Sequence, residues 1–371
     1  MKRTIKHTVL YIIGIILTLS VSAQDYRSYP IDKINFNTTG VYYTLPKTEI
    51  IFKVKVEKIQ ENKGVYADYA YLIGAKNIII NDAVKYKIKD IQIHTRPVGD
   101  NENIYFLNTL KEVKVSKTKE GALLTIGQEA PICKEAPHKK GRKPHNPKEL
   151  EEEAINYPEI FEQKLLTQGR LDAMPNLTAS KAVEKIEELR EKQLDVLSGN
   201  IDGTYMNNTV EYMYKQLDQM INGYVSLFTG ESTSEELEYT FTLTPEKPLI
   251  VEEDLLLGIF KFSEEEGVLE LNSNSTAPIV AVKIHSLNTT KEYEKIEEQK
   301  KKDENLQKLI AKKGVGLYYR IPEMVELSID FEGKHYFKTT HLTQYGVVSY
   351  MLDSPKKISF KPQTGALERV E

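Results

Sequence analysis

The sequence predicts an α+β protein: mainly antiparallel, β-rich, sandwich-like units with an antiparallel helical hairpin inserted between them. Three patterns predict it. Stretches near both ends alternate apolar and polar residues with period two, the mark of a strand wet on one face. The middle carries two long runs whose apolar residues are spaced three and four apart, as on one side of a helix. Nearly the same heptapeptide, G-V-Y-Y-T-L-P at 40–46 and G-L-Y-Y-R-I-P at 316–322, opens an alternating stretch near each end.

Residues 1–23 have the order of a signal peptide: Lys2, Arg3 and Lys6, then the apolar run Val9 to Leu19, then Val21-Ser22-Ala23 as a small-residue cleavage site. A membrane anchor is the alternative, but the run is about eleven residues and a spanning helix needs roughly 20. No later stretch is longer and as apolar, so the mature chain has no predicted transmembrane segment. Cleavage after Ala23 removes three basic residues from a 371-residue chain of net charge −4, leaving 348 residues at −7. That acidic balance argues against a nucleic-acid partner. Cys133 is the single cysteine, so no intramolecular disulfide forms and burial must supply the stability. Single cores stop growing at about 250–300 residues, so two or three units are expected.

The first unit, 24–129, is β-rich with a short helix. Phe52, Val54 and Val56 alternate with Lys53, Lys55 and Glu57; Tyr86 and Ile88 have one parity and Ile91 and Ile93 the other, which predicts a bend or bulge near Asp90. Between them, G-V-Y-A-D-Y-A-Y-L-I-G (64–74) reads as a short helix bounded by glycines. A basic, proline-rich loop follows at 130–148; its H-K-K-G-R-K-P-H run reads as solvated loop rather than as a nucleic-acid patch. The helical segment, 149–230, begins with an acidic stretch to Leu166 and continues into the hairpin. Its first helix carries Val183, Ile186, Leu189, Leu194 and Leu197; its second carries Val210, Met213, Tyr214, Leu217, Met220, Ile221, Tyr224, Leu227 and Phe228. Asn208 with Glu211 predicts a capping box, Gly230 a left-handed stop, and the short link 199–207 an antiparallel return. The last unit, 231–371, is antiparallel β: Leu237, Tyr239, Phe241 and Leu243 alternate with polar residues, as do Val325, Leu327, Ile329 and Phe331. Ile279 to Ile284 is more uniformly apolar and is expected to be central. The Lys- and Glu-rich stretch 291–313 is a charged insertion, an exposed helix or a solvated loop.

Each heptapeptide marks a strand entering a sheet, with its proline at the first residue or on an edge. In alignment, Leu327 falls on Ile51 but Ile329 falls on Lys53, so the alternation slips by one residue. Internal duplication with a bulge absorbing the slip, and convergent strand entry, both remain open. Tyr42, Tyr43, Tyr318 and Tyr319 are the candidate binding residues, as a platform on which sugars stack; ordinary packing is the competing use in a chain with 22 Tyr and no Trp.

G-V-Y-Y-T-L-P-K-T-E and G-V-Y-A-D-Y-A-Y-L-I-G, then L-F-T-G-E, F-T-L-T-P-E-K-P, I-F-K-F-S, G-L-Y-Y-R-I-P and Q-Y-G-V-V, in that order, resemble the secreted Bacteroidetes proteins grouped as domain of unknown function 4831. The resemblance spans almost the whole mature chain apart from the basic loop and 291–313. It implies an extracytoplasmic setting, and supplies no reaction, cofactor or site residue.

Chemical motifs fail one by one. Ser198 to Gly203 mimics the front of a calcium loop, but position twelve is Thr209, where a bidentate Glu is required. His335 and His341 are six residues apart on one strand, about 20 Å, too far to share a metal. His138 and His145 lack a third ligand. The triplets Glu151 to Glu153 and Glu264 to Glu266 read as solvated charge rather than as an acid–base pair. No G-x-S-x-G, P-loop or H-E-x-x-H occurs, and Cys133 has no recognisable partner. No catalytic residue, metal or cofactor is assigned. The expectation is a non-catalytic binding or assembly protein, periplasmic or at the outer surface, whose partner is an envelope protein or a glycan. An unrecognised hydrolase of envelope or dietary polymers is the alternative.

Overall fold

A computed structural model describes residues 26–31, 39–109, 113–119, 121–128, 178–200, 207–246, 249 and 253–371. The signal peptide, the basic loop, the acidic stretch 149–166, Cys133, His138, His145 and Glu151 to Glu153 lie outside the described residues.

Two long hairpins dominate. The first joins β2 (Gly40–Asn62) to β3 (Ala83–Thr109), and β1 (Tyr26–Pro30) and β6 (Glu231–Leu243) flank it in the order β1-β3-β2-β6. The second joins β10 (Leu317–Phe331) to β11 (Lys334–Met351) in a sheet completed by β7 (Leu255–Ser263), β8 (Gly267–Leu269) and β9 (Ile279–Ser286), ordered β11-β10-β9-β7-β8. A third, small sheet contains β4 (Val115–Lys117), β5 (Leu123–Ile126), β12 (Ile358–Phe360) and β13 (Leu367–Val370). Every pairing of these strands is antiparallel, as the alternating patterns predict. The β-rich stretches 24–129 and 231–371 are interleaved: β6 pairs with β2, and β12 pairs with β5.

Burial follows the pattern. Phe52, Val54 and Val56 face Phe260, Val282 and Leu327 in the main core between the two large sheets. Ile279 to Ile284 lies in β9, between β10 and β7, at the centre of its sheet. In β3, Asp90 pairs with Lys55 and Ile88 with Val56, so Lys89 is the extra residue of the bulge predicted there. A second core forms where the first hairpin, the second hairpin and the small sheet converge, around Tyr26, Tyr43, Leu107, Ile126, Leu317 and Phe360.

The helical hairpin consists of α1 (Ala179–Ser198) and α2 (Asn207–Thr229). It is antiparallel, since Asp195 and Val196 near the end of α1 line a depression with Tyr212 and Met213 near the start of α2. A 3-10 turn, Ala67–Ile73, caps it by packing Ala70 against Ile186, Leu189 and Phe228. Gly230 has φ +81° and its N–H closes on Ser226 O at 2.8 Å, the stop predicted for α2. Two details differ. Leu194 and Leu197 are exposed, because the buried seam of α1 runs Ala182, Ile186, Leu189, Val196, and the leucines sit two residues before and one residue after Val196, turned about 100° or more from it. Helix α2 begins at Asn207, so Asn208 stands inside the first turn rather than ahead of it. The charged insertion is a pair of exposed helices, α3 (Lys291–Lys302) and α4 (Glu304–Lys313), broken at Asp303, whose carboxylate caps α4.

Candidate functional site

The two heptapeptides enter the first strand of each long hairpin, and the fold brings them together. Gly begins both for the same reason: a Cβ at Gly40 would overlap the Leu107 carbonyl, and one at Gly316 the Asp353 carbonyl. The prolines lie inside their strands, beside register irregularities, rather than at a first residue. Thr44 pairs with Ile104 and Leu45 with Asp100, so three residues of β3 bulge out opposite the first motif. Likewise Ile321 pairs with Val347 and Glu323 with Leu342, so β11 bulges opposite the second while Pro322 goes unpaired. At Pro322 the missing N–H breaks no ladder bond.

Each bulge reaches across to the other motif. From the first, Asp100 has no exposed side-chain surface; Asp100 Oδ2 accepts from Arg320 Nη2 at 2.6 Å and from Asn103 Nδ2 at 2.8 Å. Its Oδ1 accepts from Glu102 N–H at 3.1 Å and pairs with Lys47 Nζ at 3.3 Å. Arg320 Nη1 also donates to Pro46 O at 2.8 Å. From the second bulge, Gln344 Oε1 accepts from Thr48 N–H at 2.9 Å while its Nε2 donates to Thr48 O at 3.0 Å, so the side chain acts as one more strand residue. Thr343 and Thr48 share a buried hydroxyl bond of 3.0 Å.

Between the bulges lies a polar cavity of about 390 Å³, lined by Lys47, Asp100, Glu102, Asn103, Pro245, Glu246, Arg320, Gln344 and Tyr345. Burial pushes the Asp100 carboxyl up, and the bonds from Asn103, the Arg320 guanidinium and Glu102 N–H outweigh it, holding the group below the usual carboxylate range. Asp100 is therefore an ionised strut, already occupied at both oxygens. Arg320 and Tyr345 line the cavity, but Arg320 Nε and the Tyr345 hydroxyl are themselves buried without a partner, and burial raises the Tyr345 pKa. Among the described residues the same holds for other buried polar atoms, including the hydroxyls of Tyr336 and Tyr350.

The four candidate tyrosines divide. Tyr43 and Tyr318 are brought together: the Tyr43 hydroxyl donates to Tyr318 O and accepts from Tyr318 N–H, both at 3.2 Å, and shares a 2.7 Å bond with Ser28 Oγ. They belong to a column in which Tyr43, Tyr105, Tyr318 and Tyr350 lie at ring separations of 5.7, 4.5 and 6.0 Å, with Lys300 Nζ 4.9 Å from the Tyr350 ring. Tyr43 is 2% exposed, and its column joins the second core. Tyr42 is 46% exposed and leans on Phe106 at 5.0 Å, whereas Tyr319 packs half-buried against the second core.

The cavity residues escape sequence reasoning because their partners are far apart in the chain. Arg320 stands at the motif position where the first copy has Thr44, a charge in an otherwise uncharged heptapeptide, and the polar run Asp100 to Asn103 interrupts a strand; those were the available signals. Elsewhere, His335 pairs with Asp330 at 2.6 Å on an exposed edge, and Glu264 to Glu266 form the turn between β7 and β8. Among the described residues no group of three or more His, Cys, Asp or Glu side chains is placed to hold a metal ion. Nor is any helix among them long and apolar enough to cross a membrane.

No curated protein and no solved structure matches the chain. A family model does, over residues 39–368, a span that includes the 130–148 and 291–313 stretches placed outside the resemblance. By that match the chain belongs to the family described as Domain of unknown function (DUF4831).

Proposed function

We propose that this chain is a non-catalytic extracytoplasmic binding protein, and that a small polar ligand sits in the cavity where the two heptapeptide strands meet. The observation that carries the reading is the cavity wall: the buried Asp100–Arg320 pair, with Lys47, Asn103, Glu246 and Tyr345 around the same polar space. A cavity of about 390 Å³ falls within the range of small-molecule sites. Export rests on the N-terminal sequence, and cleavage after Ala23 would leave Gln24 as the first residue.

Three carboxylates, Asp100, Glu102 and Glu246, also converge here, which bears on the hydrolase alternative. A hydrolytic pair needs one carboxyl that keeps its proton and one that is free to act. Asp100 does neither, being ionised and fully engaged, and Glu102 has a side chain 84% exposed to solvent. Binding is the better use of this arrangement.

The test is a thermal-shift survey of the full chain with small polar compounds of several charge types, run beside Glu246→Trp, which plugs the mouth from an exposed position. A compound that raises the melting temperature of the parent but not of the plugged variant supports the reading. If none does, the cavity is not a ligand site. N-terminal sequencing of the protein recovered from the cell envelope checks export; an intact Met1 in a cytosolic product would overturn it.

A further inference from the structure

Resting on the reading that this cavity holds a ligand, we infer that its ligand is a neutral, polyhydroxylated molecule the size of one or two sugar rings. The charges of the wall point there. Lys47 and Arg320 face Asp100, Glu102 and Glu246, two cations against three carboxylates, and both cations are already engaged by Asp100. An anion entering the cavity would have to draw Arg320 or Lys47 away from a carboxylate that has no exposed surface, and a buried charge stripped of its partner is strongly disfavoured. A cation finds only Glu102 and Glu246, which are exposed at the solvent end, where water and salt weaken a pair. An amino acid meets the anion's difficulty with its carboxylate.

What remains is uncharged hydrogen bonding of mixed direction. Along the wall the Lys47 ammonium, 19% exposed, and the Asn103 amide have hydrogens to give, and at the mouth the Glu102 and Glu246 carboxylates accept. A sugar hydroxyl does both, so a ring of hydroxyls answers donors on one side and acceptors on the other. The Tyr345 ring adds an apolar face suited to the C–H face of a pyranose. Nothing in this requires a metal, and no cluster of ligating side chains stands at the cavity among the described residues.

The experiment is calorimetric titration of the full chain with four groups of probes: glucose, galactose, N-acetylglucosamine and their disaccharides; glucuronate and inorganic phosphate; glucosamine and spermidine; glycine and glutamine. The expected result is binding by one or more of the neutral saccharides alone, with an affinity unchanged by added salt. Tyr345→Leu removes the aromatic ring face and is expected to weaken that binding about three- to ten-fold. Glu326→Gln, exposed on β10 and outside the cavity wall, is expected to leave it within about two-fold. Tighter binding by any charged or zwitterionic probe overturns the ligand class while leaving the cavity a binding site. Failure of all four groups overturns the class; the wider survey with Glu246→Trp then decides separately whether the cavity binds anything.

Discussion

Replacing Arg320 by Met keeps the length of the side chain and removes its guanidinium, which isolates the contribution of the pair that joins the two hairpins. Arg320 and Asp100 are 8% and 0% exposed in their side chains and 2.6 Å apart, so neither end of the bond is accessible to replacement by bulk water. Breaking a buried pair from one side costs about 3–5 kcal/mol, because the remaining charge stays buried. Here Asp100 keeps Asn103, Glu102 N–H and a 3.3 Å contact with Lys47, which lowers the cost, while Pro46 O loses its donor, which raises it. We predict a loss of about 3–4 kcal/mol in urea-induced unfolding. The same substitution in an Asp100→Asn background should cost only about 1–2 kcal/mol, since no buried carboxylate is then left unpaired. A loss below about 1 kcal/mol in the parent, or equal losses in both backgrounds, would refute the idea that this pair holds the two hairpins together.

Acid should destabilise the protein through two carboxylates. Burial raises Asp100 and Glu323 alike, but hydrogen bonds, from Asn103 and Arg320 in one case and from Thr290, Thr289 and Ser286 in the other, hold both below their ordinary values. Their stabilisation is complete above an unfolded pKa of about 4 and is lost as pH falls through the lower folded values, so Asp100→Asn should flatten the acid limb of a stability–pH curve; an unchanged limb contradicts this. Gln344→Glu leaves one acceptor for Thr48 N–H but turns a carboxylate toward Thr48 O and Pro245 O, and should cost about 2–3 kcal/mol by urea denaturation. Gly316→Ala should cost about 3 kcal/mol or prevent folding, because its Cβ overlaps the Asp353 carbonyl. Gly333→Ala, in the open β10–β11 turn at φ +74° with no atom within 4 Å of the added carbon, should cost only about 1–2 kcal/mol in the same measurement.

Much of the architecture could be read locally. Alternation at Leu237 to Leu243 and Val325 to Phe331 places those residues against the main core, and the parity change between Ile88 and Ile91 locates the Lys89 bulge. Period and cap residues reveal the helical hairpin, although Leu194 and Leu197 extend its stripe falsely because apolar identity does not distinguish neighbouring helical positions. The cavity was not legible in the same way. Arg320 and Asp100 are 220 residues apart, and Gln344 and Thr48 are 296 apart, so nothing in the vicinity of either member signals the other. The tyrosine repeat marks where the hairpins meet: Tyr43 bonds to Tyr318, and Arg320 bonds to Pro46.

Interleaving of the chain's two ends has a consequence for the order in which it is made. Strands β12 and β13 come from residues 358–370, yet they complete the sheet that β4 and β5 begin; Tyr26 Oη donates to Pro355 O, and Ser28 bridges Val315. A polypeptide growing from its N-terminus therefore has nothing with which to seal its first strands until its last have been synthesised, and contacts so distant in sequence form late. The small sheet begun by β4 and β5 therefore stays incomplete until β12 and β13 have been made. Stopping a dozen residues early would release a product with an unzipped seam beside its earliest strands.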